Sequence, residues 1–362
     1  MKDCIGIINL DESEERVREL IRYNTISSMP IAGRYRIIDF VLSNLTNSGV
    51  ECIGIFTKKK SYYLMKHLSN GRPWDLHRKN NGLRVFNYSE YDPLYDDIHG
   101  FIENIEFIKY SRKEYIIIAP SYMICNIDYK KALENHKNSG DDITIIYKKL
   151  NKINEKILNC EEINLDKSGK VKSIEKIKYG KENTNINMEM YIMKTSFFID
   201  IIKDSITTGL YKKVKEYIVD NIENLKVGSY EFSGYLACIN SVNAYFNTNM
   251  EILDEKINKE LFYDNNPIYT KQKDEAPTYY SKESQVDNSI IANGSYIEGK
   301  VENCIIGRKV KIKKGAIVRN SIIMESCIIE NNAIVNNTIL NLGNKINENN
   351  IINGYNNYPA IN

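Results

Sequence analysis

Val301-Glu302-Asn303-Cys304-Ile305-Ile306, Val318-Arg319-Asn320-Ser321-Ile322-Ile323 and Val335-Asn336-Asn337-Thr338-Ile339-Leu340 repeat one pattern at intervals of 17 residues. Asp287-Asn288-Ser289-Ile290-Ile291 is an earlier copy at a slightly shorter interval. A short aliphatic repeat punctuated by Gly294, Gly299, Gly307 and Gly315 signals a parallel β-helix, in which each turn buries its Ile and Val against the next. The period is close to three hexapeptides per coil, the spacing of a left-handed β-helix. Ordinary antiparallel strands are the rival reading, but hairpins rarely hold so regular a phase.

Upstream of the repeat the texture differs. Residues 4–9, 50–57, 114–119 and 142–147 read as short apolar strands, with helical patterns between them at 101–110 and 129–139. Apolar strands separated by helices indicate an α/β domain with a mostly parallel sheet covered on both faces. Residues 256–283 are polar and carry Asn265-Asn266-Pro267 and Ala276-Pro277, which reads as a linker. The expected organisation is an α/β domain over 1–255, a linker over 256–283 and a β-helix over 284–355.

Bulk properties narrow the function classes. The 362 residues carry 49 basic and 47 acidic side chains, a net charge of +2, which argues against a dedicated nucleic-acid binder. No apolar run approaches the roughly 20 residues that span a bilayer, so no membrane partner is expected. Met1-Lys2-Asp3-Cys4-Ile5-Gly6 runs straight into a strand without signal-peptide anatomy. Seven scattered cysteines with no C-x-x-C pair fit reduced thiols better than disulfides or a zinc site. The expected location is the cytoplasm.

Pro30-Ile31-Ala32-Gly33-Arg34-Tyr35-Arg36-Ile37-Ile38-Asp39-Phe40-Val41-Leu42-Ser43-Asn44, then Asn47-Ser48-Gly49, resembles the P-F-G-G-K-Y-R-I-I-D-F-P-L-S-N…N-S-G signature of glucose-1-phosphate adenylyltransferases. Pro73-Trp74-Asp75-Leu76-His77-Arg78 is similar to the P-W-D-L-D-R of that family, and Glu175-Lys176 falls at its E-K-P. Gly234-Tyr235 and Asn249-Met250-Glu251-Ile252-Leu253 resemble its G-Y-W-x-D-V-G…N-x-x-L-L block. With the β-helix, the likeness covers essentially the whole chain. It implies a Rossmann-like nucleotidyltransferase domain, which in that family joins ATP to glucose-1-phosphate and releases pyrophosphate.

That chemistry is mostly positioning and charge stabilisation around a triphosphate. It needs a glycine-rich loop, a cationic side chain and two carboxylates for magnesium. Where the family reads G-G-x-G-x-R-L, this chain reads Asp11-Glu12-Ser13-Glu14-Glu15-Arg16-Val17, and only Arg16 survives. Carboxylates facing a triphosphate at ~5 Å repel it by several kcal/mol. A plainer reading of the same residues is the acidic first turn of a helix. By the resemblance, the lysine of K-P-A falls on Ile26, and the two magnesium ligands fall on Tyr122 and Cys238. Phenols and thiols are poor magnesium ligands. The sugar-facing residues before E-K-P fall at Cys160-Glu161, and Arg16 and Lys176 are remnants of substrate binding.

Three readings follow. The first is a non-catalytic, regulatory subunit of the kind (the GlgD type) that certain bacteria pair with a catalytic adenylyltransferase subunit in a heterotetramer. It binds no cofactor itself, and magnesium is expected only in the catalytic partner. The second is a weakly active sugar-nucleotide transferase, and the third a sugar-phosphate-sensing binding protein. Acyl transfer, another β-helix chemistry, generally uses a histidine base. His67, His77, His99 and His136 all lie outside the repeat. The family's G-G-K-Y-R lysine is associated with anionic activators and corresponds to Arg34, with Arg36 two residues on. Together with Arg308, Lys309 and Lys311 these are candidates for an anionic sugar-phosphate effector. A solvated charged face is the plainer reading of the repeat's basic run, which continues through Lys313 and Lys314.

Overall fold

Strand Cys4–Leu10 lies at the centre of a nine-stranded sheet, flanked in parallel by Cys52–Thr57 and Tyr115–Pro120. The computed structural model describes residues 1–21, 25–57, 62–87, 96–152, 157, 160–177, 181–355 and 359–362. Gly82–Asn87 extends the parallel run on one side. On the other, the long strand Glu182–Lys194 turns the sheet antiparallel and carries Ile143–Lys152 beside it, and Glu161–Leu165 with Val171–Lys176 at the edge. Alternation puts Ile5, Ile7, Ile116 and Ile118 into the core on one face. Cys4, Ile8, Ile117 and Ala119 enter the core on the other, against Ile38, Val41 and Leu45 of helix Ile37–Asn47. A mixed sheet, parallel through its central strands and antiparallel around Glu182–Lys194, with two buried faces is the Rossmann-like domain expected.

Helix Tyr129–Ser139 forms as expected, opened by the Asp128 side chain accepting from Lys130 N–H and closed by left-handed Gly140. The helix expected over 101–110 instead breaks into Asp97–Glu103 and Ile105–Ser111. Asn104 leaves helical geometry at the junction, and its side chain donates to the Gly100 carbonyl at 2.9 Å. Such local side-chain bonding competes with the helical ladder.

The repeat forms three parallel sheets of five strands each. Val286, Val301, Val318, Val335 and Ile352 stack in register, 15 residues apart at the first step and 17 at each later one. Their neighbours Ile306, Ile323 and Leu340 stack on another face, and the interior of the middle coils is buried and mainly aliphatic, with Cys304 and Cys327 among its members. Asn303, Asn320 and Asn337 turn one corner in successive coils with positive φ, a conformation asparagine tolerates better than most residues. Gly307 has a different duty: a Cβ there would stand 2.7 Å from the Glu325 nitrogen of the next coil.

The chain divides into two compact units that differ from the expected boundaries. One comprises Met1–Ser13, Ile38–Cys238 and Asn266–Tyr269, the other Glu14–Ile37, Ile239–Asn265 and Thr270–Asn362. The expected linker contains helix Glu255–Phe262, capped by Asp254 and anchored by fully buried Leu261. No helix among the described residues is long and apolar enough to cross a membrane.

Candidate functional site

In the sheet unit, the strand end after Pro120 places Ser121 and Tyr122 ahead of the short strand Met123–Ile124. That strand pairs antiparallel with Ala237–Cys238, so Cys238 stands opposite Met123. The two positions assigned to magnesium ligands thus converge. Burial pushes the Tyr122 phenol well above its ordinary range, reinforced by the Glu189 carboxylate it faces and by Cys238 and Cys160. Burial likewise pushes the Cys238 thiol up, helped by neighbouring Cys160 and Glu189. Both groups therefore keep their protons at neutral pH.

Around them lies an ion-pair network that the sequence did not disclose. Lys215 Nζ sits 2.6 Å from Glu189 and 2.8 Å from Glu161. Burial opposes its charge, yet Glu189, Tyr191 and Glu161 outweigh that and raise its ammonium well above the ordinary value. This donor set does not fit magnesium, since its two carboxylates already hold a lysine and its other members are neutral. Among the described residues, no group of three or more His, Cys, Asp or Glu side chains is arranged to hold a metal.

The loop after the first strand is acidic as read, but its carboxylates are engaged within the protein. Asp11 pairs with Lys213 at 2.5 Å, and Glu12 accepts a hydrogen bond from the Ser121 hydroxyl. The acidic helical start reduces to a single 3-10 turn, Glu15–Val17, with Arg16 exposed on it. Within the second unit, Glu14 accepts from the Ile26 N–H at 3.2 Å. Ile26 itself is fully buried in the turn Ile26–Ser28, a place that suits an aliphatic side chain and would penalise a lysine. Lys176 ends the edge strand Val171–Lys176, exposed and opposite Glu161.

The candidate anion-binding residues separate. Hairpin Pro30–Ile31 with Tyr35–Arg36 is held by helix Val242–Glu251, through Tyr245 Oη to the Pro30 carbonyl at 2.6 Å and Asn249 Oδ1 to Ala32 N–H at 3.0 Å. Gly33, at φ +75°, lets the hairpin tip approach the coil so closely that a Cβ would lie 3.0 Å from the Ile306 carbonyl. Arg34, Arg36 and Arg308 gather there. Arg308 is buried, and burial depresses its guanidinium against the pull of Glu325, with Arg36 and Arg34 adding repulsion. Arg36 donates to the Ser28 carbonyl at 2.7 Å, and Lys273 grips Glu325 at 2.7 Å. Lys309 pairs with Glu275 at 3.0 Å. Lys311 lies apart, exposed on strand Lys311–Ile312 between Tyr296 and Ile328. The basic run is thus not one patch: Lys313 and Lys314 pair with Glu298 and Glu283.

Lys213, Lys215, Glu189 and Ser121 are the site residues that sequence reasoning missed. The one available signal was the basic stretch Lys212-Lys213-Val214-Lys215, whose partners lie far away in the chain.

Comparison with known proteins agrees with this architecture. Residues 14–255 match the nucleotidyl transferase family, and residues 276–358 match the GlmU-like C-terminal hexapeptide family, the left-handed β-helix repeat. The glycogen biosynthesis protein GlgD of Bacillus subtilis is 33% identical over 86% of this chain and 81% of its own length. The GlgD of Geobacillus stearothermophilus is 37% identical over 87% and 82%. A glucose-1-phosphate adenylyltransferase of Mycoplasma mobile is 29% identical over 88% and 85%. The chain thus belongs to the nucleotidyl transferase family, in its glucose-1-phosphate adenylyltransferase branch and of the GlgD type.

Proposed function

We propose that this chain is a non-catalytic, regulatory subunit of glucose-1-phosphate adenylyltransferase in glycogen biosynthesis, acting in the cytoplasm on a catalytic partner subunit. The observation that carries this reading is the convergence of a phenol and a thiol, Tyr122 and Cys238, at the positions that the likeness gives to the metal ligands. Magnesium then belongs to the partner. The scaffold, by contrast, is kept: the relatives named GlgD align over more than four-fifths of both chains. The β-helix offers a docking face, because Tyr279, Tyr280 and Tyr296 are each about half exposed at its first coils. Exposed tyrosine is enriched at protein interfaces. Assembly as a heterotetramer follows from the reading. A second reading, sensing of an anionic sugar phosphate, is favoured by the gathering of Arg34, Arg36 and Arg308 and is compatible with the first.

Co-expression with a catalytic subunit tests the proposal. Alone, the chain forms no ADP-glucose from ATP and glucose-1-phosphate with magnesium. With the partner, it raises activity or effector sensitivity by about 5- to 150-fold, the usual span of allosteric coupling. Deleting residues from 284 onward abolishes co-purification. Turnover by the purified chain alone at ~1 s⁻¹ or more overturns the reading.

A further inference from the structure

Glu189 adopts a left-handed backbone conformation, φ +53°, which is costly for a glutamate. Strand Glu182–Lys194 shifts register between Asn187 and Met190, and the Asn187 side chain accepts from the Glu189 N–H at 2.9 Å. Bulges of this kind re-aim a side chain next to a site. Here the re-aimed carboxylate meets Lys215 from one side while Glu161 meets it from another. The two acids are only 21% and 23% exposed, so neither is well served by solvent. Two carboxylates brought this near a common point disfavour each other's charge unless a cation stands between them.

We propose that the ammonium of Lys215 is the built-in cation of this cleft, standing where a divalent ion would otherwise neutralise its carboxylates. A cation tethered to the chain needs no shell of hard oxygen donors, and the phenol and thiol of Tyr122 and Cys238 meet the network through one of its carboxylates, Glu189. Charge compensation of Glu161 and Glu189 then rests on this tethered cation, one positive charge against two negative, and not on a metal. The inference rests on the reading of this centre as non-catalytic, but its test reads metal binding and unfolding temperature, which do not depend on whether a partner is activated.

The test uses the full chain as wild type, Lys215→Met, and Lys215→Met combined with Glu189→Gln, melted with and without millimolar Mn²⁺. The wild-type melting temperature is indifferent to Mn²⁺. Lys215→Met melts roughly 2–4 °C lower or more, Mn²⁺ restores the loss, and adding Glu189→Gln cancels the rescue. A wild type that Mn²⁺ stabilises as much as the variant overturns the proposal. So does a Lys215→Met protein that melts like wild type, or one whose loss no divalent ion repairs, which would make Lys215 an ordinary ion pair. Should Lys215→Met fail to fold, Tyr122→Asp with Cys238→Asp decides by electron paramagnetic resonance. With Lys215 in place this variant is expected to bind no Mn²⁺, and a bound ion there overturns the inference.

Discussion

All seven cysteines are buried thiols outside any disulfide, so at the residue scale they behave as core atoms. Burial raises Cys4, Cys125 and Cys304 to about 12, and Cys52 and Cys327 to about 11, from an ordinary value of 9.0. A raised thiol favours the fold while it stays protonated. That contribution is complete below pH 9 and is lost as pH climbs towards 11–12, where the unfolded chain has already released its protons. The melting temperature should therefore fall between pH 8 and pH 11. Iodoacetamide at pH 8 should leave these five cysteines unmodified in the native chain, by intact mass, and alkylate all seven in guanidinium. At this scale the resemblance to the adenylyltransferases is what marks Tyr122 and Cys238 as the ligand positions. It could not disclose the ion pairs around them. Lys215 finds Glu161 and Glu189 only through a bulge and two long-range packings, and nothing local in the sequence marks either.

Among the elements, the β-helix was the most legible, since one aliphatic period sets strand, corner and register together. The corners explain why: each coil repeats an asparagine with positive φ at Asn303, Asn320 and Asn337. Phase is therefore what the repeat requires, more than length. Removing the 17 residues 318–334 joins Ile317 to Val335 in the register of the lost Val318 and deletes one whole coil. Removing 16 turns every downstream Ile and Val to the wrong face. The first variant should stay folded by circular dichroism, with a lower melting temperature. The second should aggregate or lose cooperative melting. Helix ends were less legible. Asn104 splits one expected helix through its own side chain, and Asp254 starts another inside a stretch whose polarity suggested a linker. Both turn on single capping residues, which periodicity does not weigh.

Across the whole molecule, the second compact unit is assembled from three separated stretches, and its earliest, 14–37, lies ahead of most of the sheet unit in the chain. A chain truncated before Thr270 lacks the coil against which the Gly33 turn rests. In that variant trypsin should cut at Arg34 or Arg36 at least about tenfold faster than in the full chain, as local opening controls cleavage. Mass spectrometry of the early fragments checks this. The same arrangement imposes an order of events on synthesis. Residue 33 leaves the ribosome about 270 residues ahead of Ile306, the carbonyl its turn approaches. At a translation speed of about 5–20 residues per second, that is a wait of roughly 14–55 s. For that interval the Pro30–Arg36 hairpin exists without the coil it rests on.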